Sequence, residues 1–269
     1  MNRNQYDTDV TVFSPAGRLH QLEYTMNAVD KGTAVVGMRS QKIAVLGALR
    51  RQNEPLSAHH DKLFAIDSHV CVGIAGLVSD ARRLVRHMQE SCLNHKYVFG
   101  SSMPANRLAL EVADDAQELT QSNSGFRPYG VGLLMVSHDK TGPHLHEILP
   151  TGDYFEYKAH AFGNRSQAAR TYIEKNHETF DEADEDALVK HVLHALKNCT
   201  RKGDITPMNV AIAIVGENKQ VRILNETELA PFVAAVVGDD EEDEADTDDD
   251  ESDEEAVQHM QDDDDEDDE

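Results

Sequence analysis

The order of elements along this 269-residue chain predicts an α+β fold of four layers (αββα), two antiparallel sheets packed face to face between two layers of helices. Three observations predict it. Apolar runs of strand length come in pairs joined by short turns, and amphipathic stretches of helix length also come in pairs. The two kinds then follow one another as strands, two helices, strands, two helices, strands, which is not the strict alternation of a doubly wound parallel sheet.

At the N-terminus, Val10, Val12 and Phe13, with Thr8 and Thr11 among them, favour an extended backbone. Ser14-Pro15-Ala16-Gly17 is a turn, because Pro15 pre-sets φ and Gly17 accepts conformations closed to other residues. A helix over 18–30 follows, with Leu19, Leu22, Met26 and Val29 on one face. Thr33 to Met38 and Lys42 to Leu49 read as two buried strands, and Leu63 to Ile66 and Val70 to Ala75 as a second pair. Ser79 is the predicted cap of a long helix whose Leu84, Met88 and Cys92 lie four apart. A second helix covers about Asn106 to Leu119. Strands return at Tyr129 to Ser137, His144 to Leu149 and Tyr154 to Ala159. Ser166 is the predicted cap of a third helix through Ile173. Asp184 starts a fourth, whose stripe of Leu188, Val192, Leu196 and Cys199 stops at Lys202-Gly203. Met208 to Val215 and Gln220 to Leu224 form a last strand pair, followed by a short helix near Glu226 to Ala235.

The charge divides the chain in two. Residues 239–269 hold 22 Asp or Glu and no Lys or Arg, while the other 28 acidic residues face 25 basic ones. The sequence pI near 4.8 therefore describes a tail rather than the body. We expect a folded domain over 1–238 and a disordered acidic tail over 239–269, where like charges repel and Val257 is the sole branched apolar residue. Ser252 and Thr247, each beside acidic residues, are candidate acceptors for an acid-directed kinase. Cys71, Cys92 and Cys199 are odd in number and widely spaced, the pattern of free thiols in a reducing compartment. No signal-peptide pattern opens the chain, and the longest apolar run, Leu229 to Val237, contains Pro231 and is too short to span a bilayer. No basic patch in the body argues for nucleic acid.

One stretch carries a resemblance. Tyr6-Asp7, Ser14-Pro15, Gly17-Arg18 and Gln21-Leu22-Glu23-Tyr24 match, element by element, the N-terminal signature of proteasome α-type subunits, with Thr25 where that family usually has Ala. The resemblance extends to about residue 238 through Gly32-Thr33-Ala34-Val35-Val36-Gly37, Arg127-Pro128-Tyr129-Gly130 and Gly163-Asn164-Arg165-Ser166. Arg3-Asn4-Gln5, Gly142-Pro143-His144 and Leu188-Val189-Lys190-His191 look most like the branch at the sixth position of the ring. It implies the four-layer N-terminal-nucleophile hydrolase fold and a noncatalytic role in the 20S core particle of the cytoplasm and nucleus. There, seven different α subunits form a ring on the proteolytic β subunits, which carry out ubiquitin-dependent degradation. The implied partners are neighbouring α subunits, β-ring subunits and activators such as the 19S regulatory particle. Tyr6, Asp7, Pro15, Gly17 and Tyr24 match gate positions, with residues 1–17 as the gate tail. Lys62 matches the lysine that receives an activator's C-terminal carboxylate, a pairing well suited to an ammonium.

Chemistry is the competing reading. Gly32-Thr33 falls where catalytic relatives carry their Gly-Thr junction, and there the free amine of the Thr activates its hydroxyl. Thirty-two residues precede Thr33, Leu49 takes the place of the required Asp at the end of the second strand, and Asp61 falls at the required Lys with Lys62 one residue along. A self-processed threonine peptidase is therefore disfavoured, and an acidic chaperone for basic proteins rests on the tail alone. His144 with His146, and His191 with His194, share faces but lack ligand-spaced partners, so neither a metal nor any other cofactor is expected. His59-His60 reads as solvated. Gly73 with Gly76, and Gly130 with Gly132, read as strand-end turns rather than dinucleotide loops, and Ser166 lacks the glycines of a nucleophile elbow.

Overall fold

The computed structural model describes residues 6–51, 56–58, 60–122, 126–200, 205–217 and 219–238. Arg3 to Gln5, His59, the helix stop at Lys202-Gly203 and the acidic stretch with Thr247 and Ser252 lie outside the described residues.

Helix α1 (His20–Asp30) leads into strands β1 (Val35–Arg39), β2 (Ile43–Leu49), β3 (Leu63–Asp67) and β4 (Val70–Gly76). Helices α2 (Val78–Phe99) and α3 (Ala105–Gln121) follow, then β5 (Val131–Asp139), β6 (Gly142–Ile148), β7 (Tyr154–Glu156) and β8 (Ala159–Phe162). Helix α4 (Ser166–Asn176), a 3-10 turn (His177–Thr179) and α5 (Glu185–Cys199) precede β9 (Val210–Gly216) and β10 (Lys219–Ile223). A final helix, α6, covers 226–238.

The strands form two five-stranded antiparallel sheets, ordered β10-β9-β2-β1-β8 and β3-β4-β5-β6-β7. Three groups of buried side chains match the three interfaces of four layers. Leu188, Val192 and Leu196 of α5, with Ala169 of α4 and Val233 of α6, cover one sheet. Leu84 and Met88 of α2, with Leu108 and Val112 of α3, cover the other. Val35, Leu46, Leu134 and Leu145 meet between the sheets. The stripes read from the sequence on α2 and α5 are the faces that are buried, as the hydrophobic effect demands of amphipathic helices. On α1 only Val29 of the expected four is buried.

The structure corrects five expectations. The run from Tyr154 to Ala159 is not one strand. β7 pairs with β6 and β8 with β1, so the chain crosses from one sheet to the other at Tyr157-Lys158. Arg18 lies outside α1, whose N-cap is Leu19, because its guanidinium reaches forward to Glu23 at 2.6 Å while its backbone closes the preceding turn. Ser79 does not cap α2. The helix starts at Val78 with Leu77 as its N-cap, two residues earlier than expected, and the Ser79 hydroxyl leans toward Asp80. Ser166 is the first residue of α4 rather than its cap, since Arg165 turns the chain through a left-handed φ of 61° immediately before it. The N-cap at Asp184 stands as expected, its carboxylate accepting from the Ala187 amide at 2.9 Å. The fifth expectation, at Asp61 and Lys62, is overturned at the candidate site.

Candidate functional site

The first helix closes one end of the sandwich. Its C-terminal Val29 is 1 % exposed and joins the cluster between the sheets, while Gly32 is wedged against the other sheet. A Cβ on Gly32 would lie 2.4 Å from the Gly76 backbone nitrogen, so only glycine permits this approach. From the far side Asn164 donates its amide to the Gly32 carbonyl at 2.7 Å. Both sheets therefore grip the junction between α1 and β1.

The segment ahead of α1 lies back on the helix. Ser14-Pro15-Ala16-Gly17 forms the expected turn, closed by the Gly17 amide on the Ser14 carbonyl at 2.8 Å, with Gly17 at φ 74°. The Ser14 hydroxyl accepts from the Arg18 amide at 3.1 Å. Tyr24 donates its hydroxyl to the Asp7 carboxylate at 3.3 Å, and the Gln21 side chain donates to the Asp7 carbonyl. Asp7 and Tyr24 are thus brought together within one chain. Tyr6 is half-buried, whereas Pro15 and Gly17 are exposed at the turn, away from that pair.

Beneath the helix lies the Thr33 neighbourhood. Thr33 follows Gly32 in an unbroken, pinned backbone, and its hydroxyl donates to the Leu49 carbonyl at 2.7 Å. Leu49 ends β2, where the sequence places it. Lys62, and not Asp61, is the residue brought to Thr33: its Nζ stands 3.5 Å from the Thr33 carbonyl, while Asp61 is exposed. This corrects the assignment of Asp61 to the lysine position of catalytic relatives. Lys62 is 6 % exposed, and burial pushes its ammonium down to about 8. Among the described residues, three ammonium donors with one long contact leave a buried cation under-partnered. The nitrogen of Thr33 is locked in a peptide bond, and its hydroxyl proton is directed to the Leu49 carbonyl. The three cysteines are free and buried, and burial pushes the Cys71 thiol up to about 12.

Sequence reasoning missed an anchor. Asp80, in the first turn of α2, accepts two hydrogen bonds from Arg127 at 2.6 and 2.7 Å and a third from the Gly130 amide at 2.9 Å. The Arg127 guanidinium, helped by Gly130 against the cost of burial, holds Asp80 below the usual carboxylate range. The Arg-Pro-Tyr-Gly run was visible, but its partner 47 residues upstream was not. Thr8, Gln21, Phe126 and Arg127 line a small pocket at the N-terminal segment. The histidine pairs also acquire partners invisible in sequence. His144 meets Asp139 and Glu156, which come from the end of β5 and from β7. His191 accepts or donates at 2.9 Å with the Tyr172 hydroxyl. Among the described residues no group of three His, Cys, Asp or Glu can hold a metal ion, and no helix is long and apolar enough to cross a membrane.

Two family models match the chain. The N-terminal signature of the proteasome A-type subunits matches residues 6–28, and the general "Proteasome subunit" model matches residues 29–215, the two meeting at the end of α1. Among curated relatives, the proteasome alpha type-1 subunit of Dictyostelium discoideum is 43% identical over 235 residues, spanning 87% of this chain and 94% of that protein. The proteasome alpha type-1 subunit of Drosophila melanogaster is 42% identical over 238 residues, 87% of this chain and 85% of that protein. The probable proteasome alpha type-6 subunit of Schizosaccharomyces pombe is 43% identical over 229 residues, covering 85% and 84%.

Proposed function

Because this chain belongs to the proteasome α-type subunits of the 20S core, we propose that it is a noncatalytic, structural and gating member of the α ring. The observation that carries the reading is the closed sandwich end. An intact helix, gripped by both sheets through Gly32, covers the position where a working relative exposes a threonine amine. The same helix leaves Leu22 and Met26 half-buried and Phe13 64 % exposed, an apolar strip suited to a neighbouring subunit. At the α2–α3 corner Leu93, Tyr97, Val98 and Phe99 are exposed in the single chain, a second strip suited to subunit contact, where we place the β ring. In the gate reading, Tyr6, Asp7 and Tyr24 hold residues 1–17 in one of two positions. The Lys62 ammonium, buried and short of acceptors, suits the carboxylate terminus of an activator such as the 19S particle.

The test is the native mass of material purified from its source. The expected result is a particle many times the 29.9 kDa of one chain, with this polypeptide beginning upstream of Thr33. A solitary chain, or one cut to begin at Thr33, overturns the proposal.

A further inference from the structure

The β5–β6 turn and the short edge strand β7 are joined by one side chain, His144. Its Nδ1 lies 2.8 Å from Glu156 Oε1 on β7. Its Nε2 lies 2.7 Å from Thr141 Oγ1 and 3.2 Å from Asp139 Oδ1, both at the turn. Hydrogen-bond accounting fixes what these contacts need. Thr141 has one hydroxyl proton, and that oxygen is 2.5 Å from Asp139 Oδ1, which as a carboxylate only accepts. With the hydroxyl proton on Asp139, Nε2 must donate to Thr141. Glu156 also only accepts, so Nδ1 must donate as well. A neutral imidazole has a single N–H, so the full set of bonds requires the imidazolium.

We propose that His144 is a proton-operated clasp, which as an imidazolium completes every hydrogen bond between the β5–β6 turn and β7 and on losing its proton gives up either the Thr141–Asp139 hydroxyl bond in the turn or the bond to Glu156 on β7. In the neutral ring the Thr141 hydroxyl has to swing from Asp139 to Nε2, leaving Asp139 with the Thr141 and Ala105 amides alone, or else Nδ1 turns a lone pair on Glu156.

The charged groups facing the ring support this. From β5 and its turn there is Asp139, and from β7 Glu156. From β6 His146 stands with its ring 5.9 Å away, and from β1 Arg39 approaches Glu156 at 3.7 Å. His146 is 1 % exposed, and burial pushes it down. Burial pushes both Glu156 and Asp139 up, yet the hydrogen bonds from His144 to the first and from Thr141 to the second hold them below the usual carboxylate range.

The release has a place to act. β7 is three residues long and immediately precedes the crossover between the sheets, which Arg39 holds by donating its Nε to the Tyr157 carbonyl and its amide to that of Lys158. The turn at Asp139 and Thr141 is also one wall of a groove of about 800 Å³ that includes Lys42, Lys140 and Ser101. The clasp therefore holds while the ring carries both protons and loosens β7 or the groove wall when one is lost.

Hydrogen exchange of the full-length chain, alone or in its particle, followed over residues 139–144 and 153–158 at pH 6 and pH 8, tests the clasp at both ends. Corrected for intrinsic exchange, protection in one segment or the other should fall about tenfold or more between the two pH values, the effect of losing one charge-assisted hydrogen bond. His144→Gln, which offers a single donor group, should remove that difference. An unchanged pH difference in the variant, or none in the native chain, overturns the proposal. Nitrogen-detected NMR of the native imidazole decides independently should the variant fail to fold. Both ring nitrogens protonated at pH 6 are expected, and a neutral ring there sinks the idea.

Discussion

At the scale of single residues, the decisive facts concern Lys62 and Asp80. A buried ammonium with one long contact among the described residues costs the fold more than it returns. Lys62→Met should leave the thermal midpoint unchanged or raise it, while activator affinity falls ten- to a hundredfold, on the order of one lost charge-assisted bond. A drop in stability without loss of affinity contradicts the docking role. The pH sign follows from the same burial. The unfolded lysine releases its proton near 10.5 and the folded one near 8, so the unfolded chain binds more protons between them and stability rises with pH there. Asp80 has the opposite logic. Its depressed carboxyl contributes stability that is present at neutral pH and lost as pH falls through its folded value. Arg127 is largely exposed, which screens the pair, so Asp80→Asn should cost only about 1 kcal/mol at pH 7. Acid titrations of both chains, followed by circular dichroism, should show the gap closing as pH drops.

At the scale of elements, periodicity disclosed most of the molecule. The four-residue spacing of Leu84, Met88 and Cys92 and the stripe on α5 gave faces that are buried. Paired apolar runs gave hairpins, because a strand buried on both faces must be apolar throughout. The strand change at Tyr157-Lys158 was not legible, since which sheet a strand joins depends on partners far away in sequence. Helix starts at Leu19, Leu77 and Arg165 escaped for a related reason: none of them caps with its side chain, so no polar residue marks the boundary. The site was half visible. The Tyr6–Tyr24 programme and Leu49 could be placed from sequence, but Lys62 beside Thr33 and Asp80 beneath Arg127 needed the fold. Helix α1 makes the strongest demand on a single position. Gly32→Ala puts a methyl against the Gly76 and Ala75 backbone, so α1 must shift or the sheet must open, costing about 1–3 kcal/mol. Differential scanning calorimetry measures it, and assembly into the particle should weaken in parallel. A variant as stable as the parent removes the claim that both sheets grip the helix.

For the whole molecule, charge and architecture are separable. The last 31 residues hold nearly all of the net charge of −25, while the body that matches the family is close to neutral. Truncation after Gly238 should leave the melting temperature and the mass of the assembled particle unchanged. The salt dependence of its association with basic proteins should fall. Loss of assembly on truncation would move the tail from accessory to structural. The order of strands in the first sheet has a further consequence, for synthesis. β1 and β2 emerge from the ribosome early, yet β1 meets β8 on one side only after residue 159, and β2 meets β9 on the other only after residue 210. At the usual pace of translation the hairpin waits on the order of ten seconds with both margins bare. A nascent chain in that interval is an apolar ribbon open to any passing strand, and a chaperone that shields it then should raise the yield of folded protein.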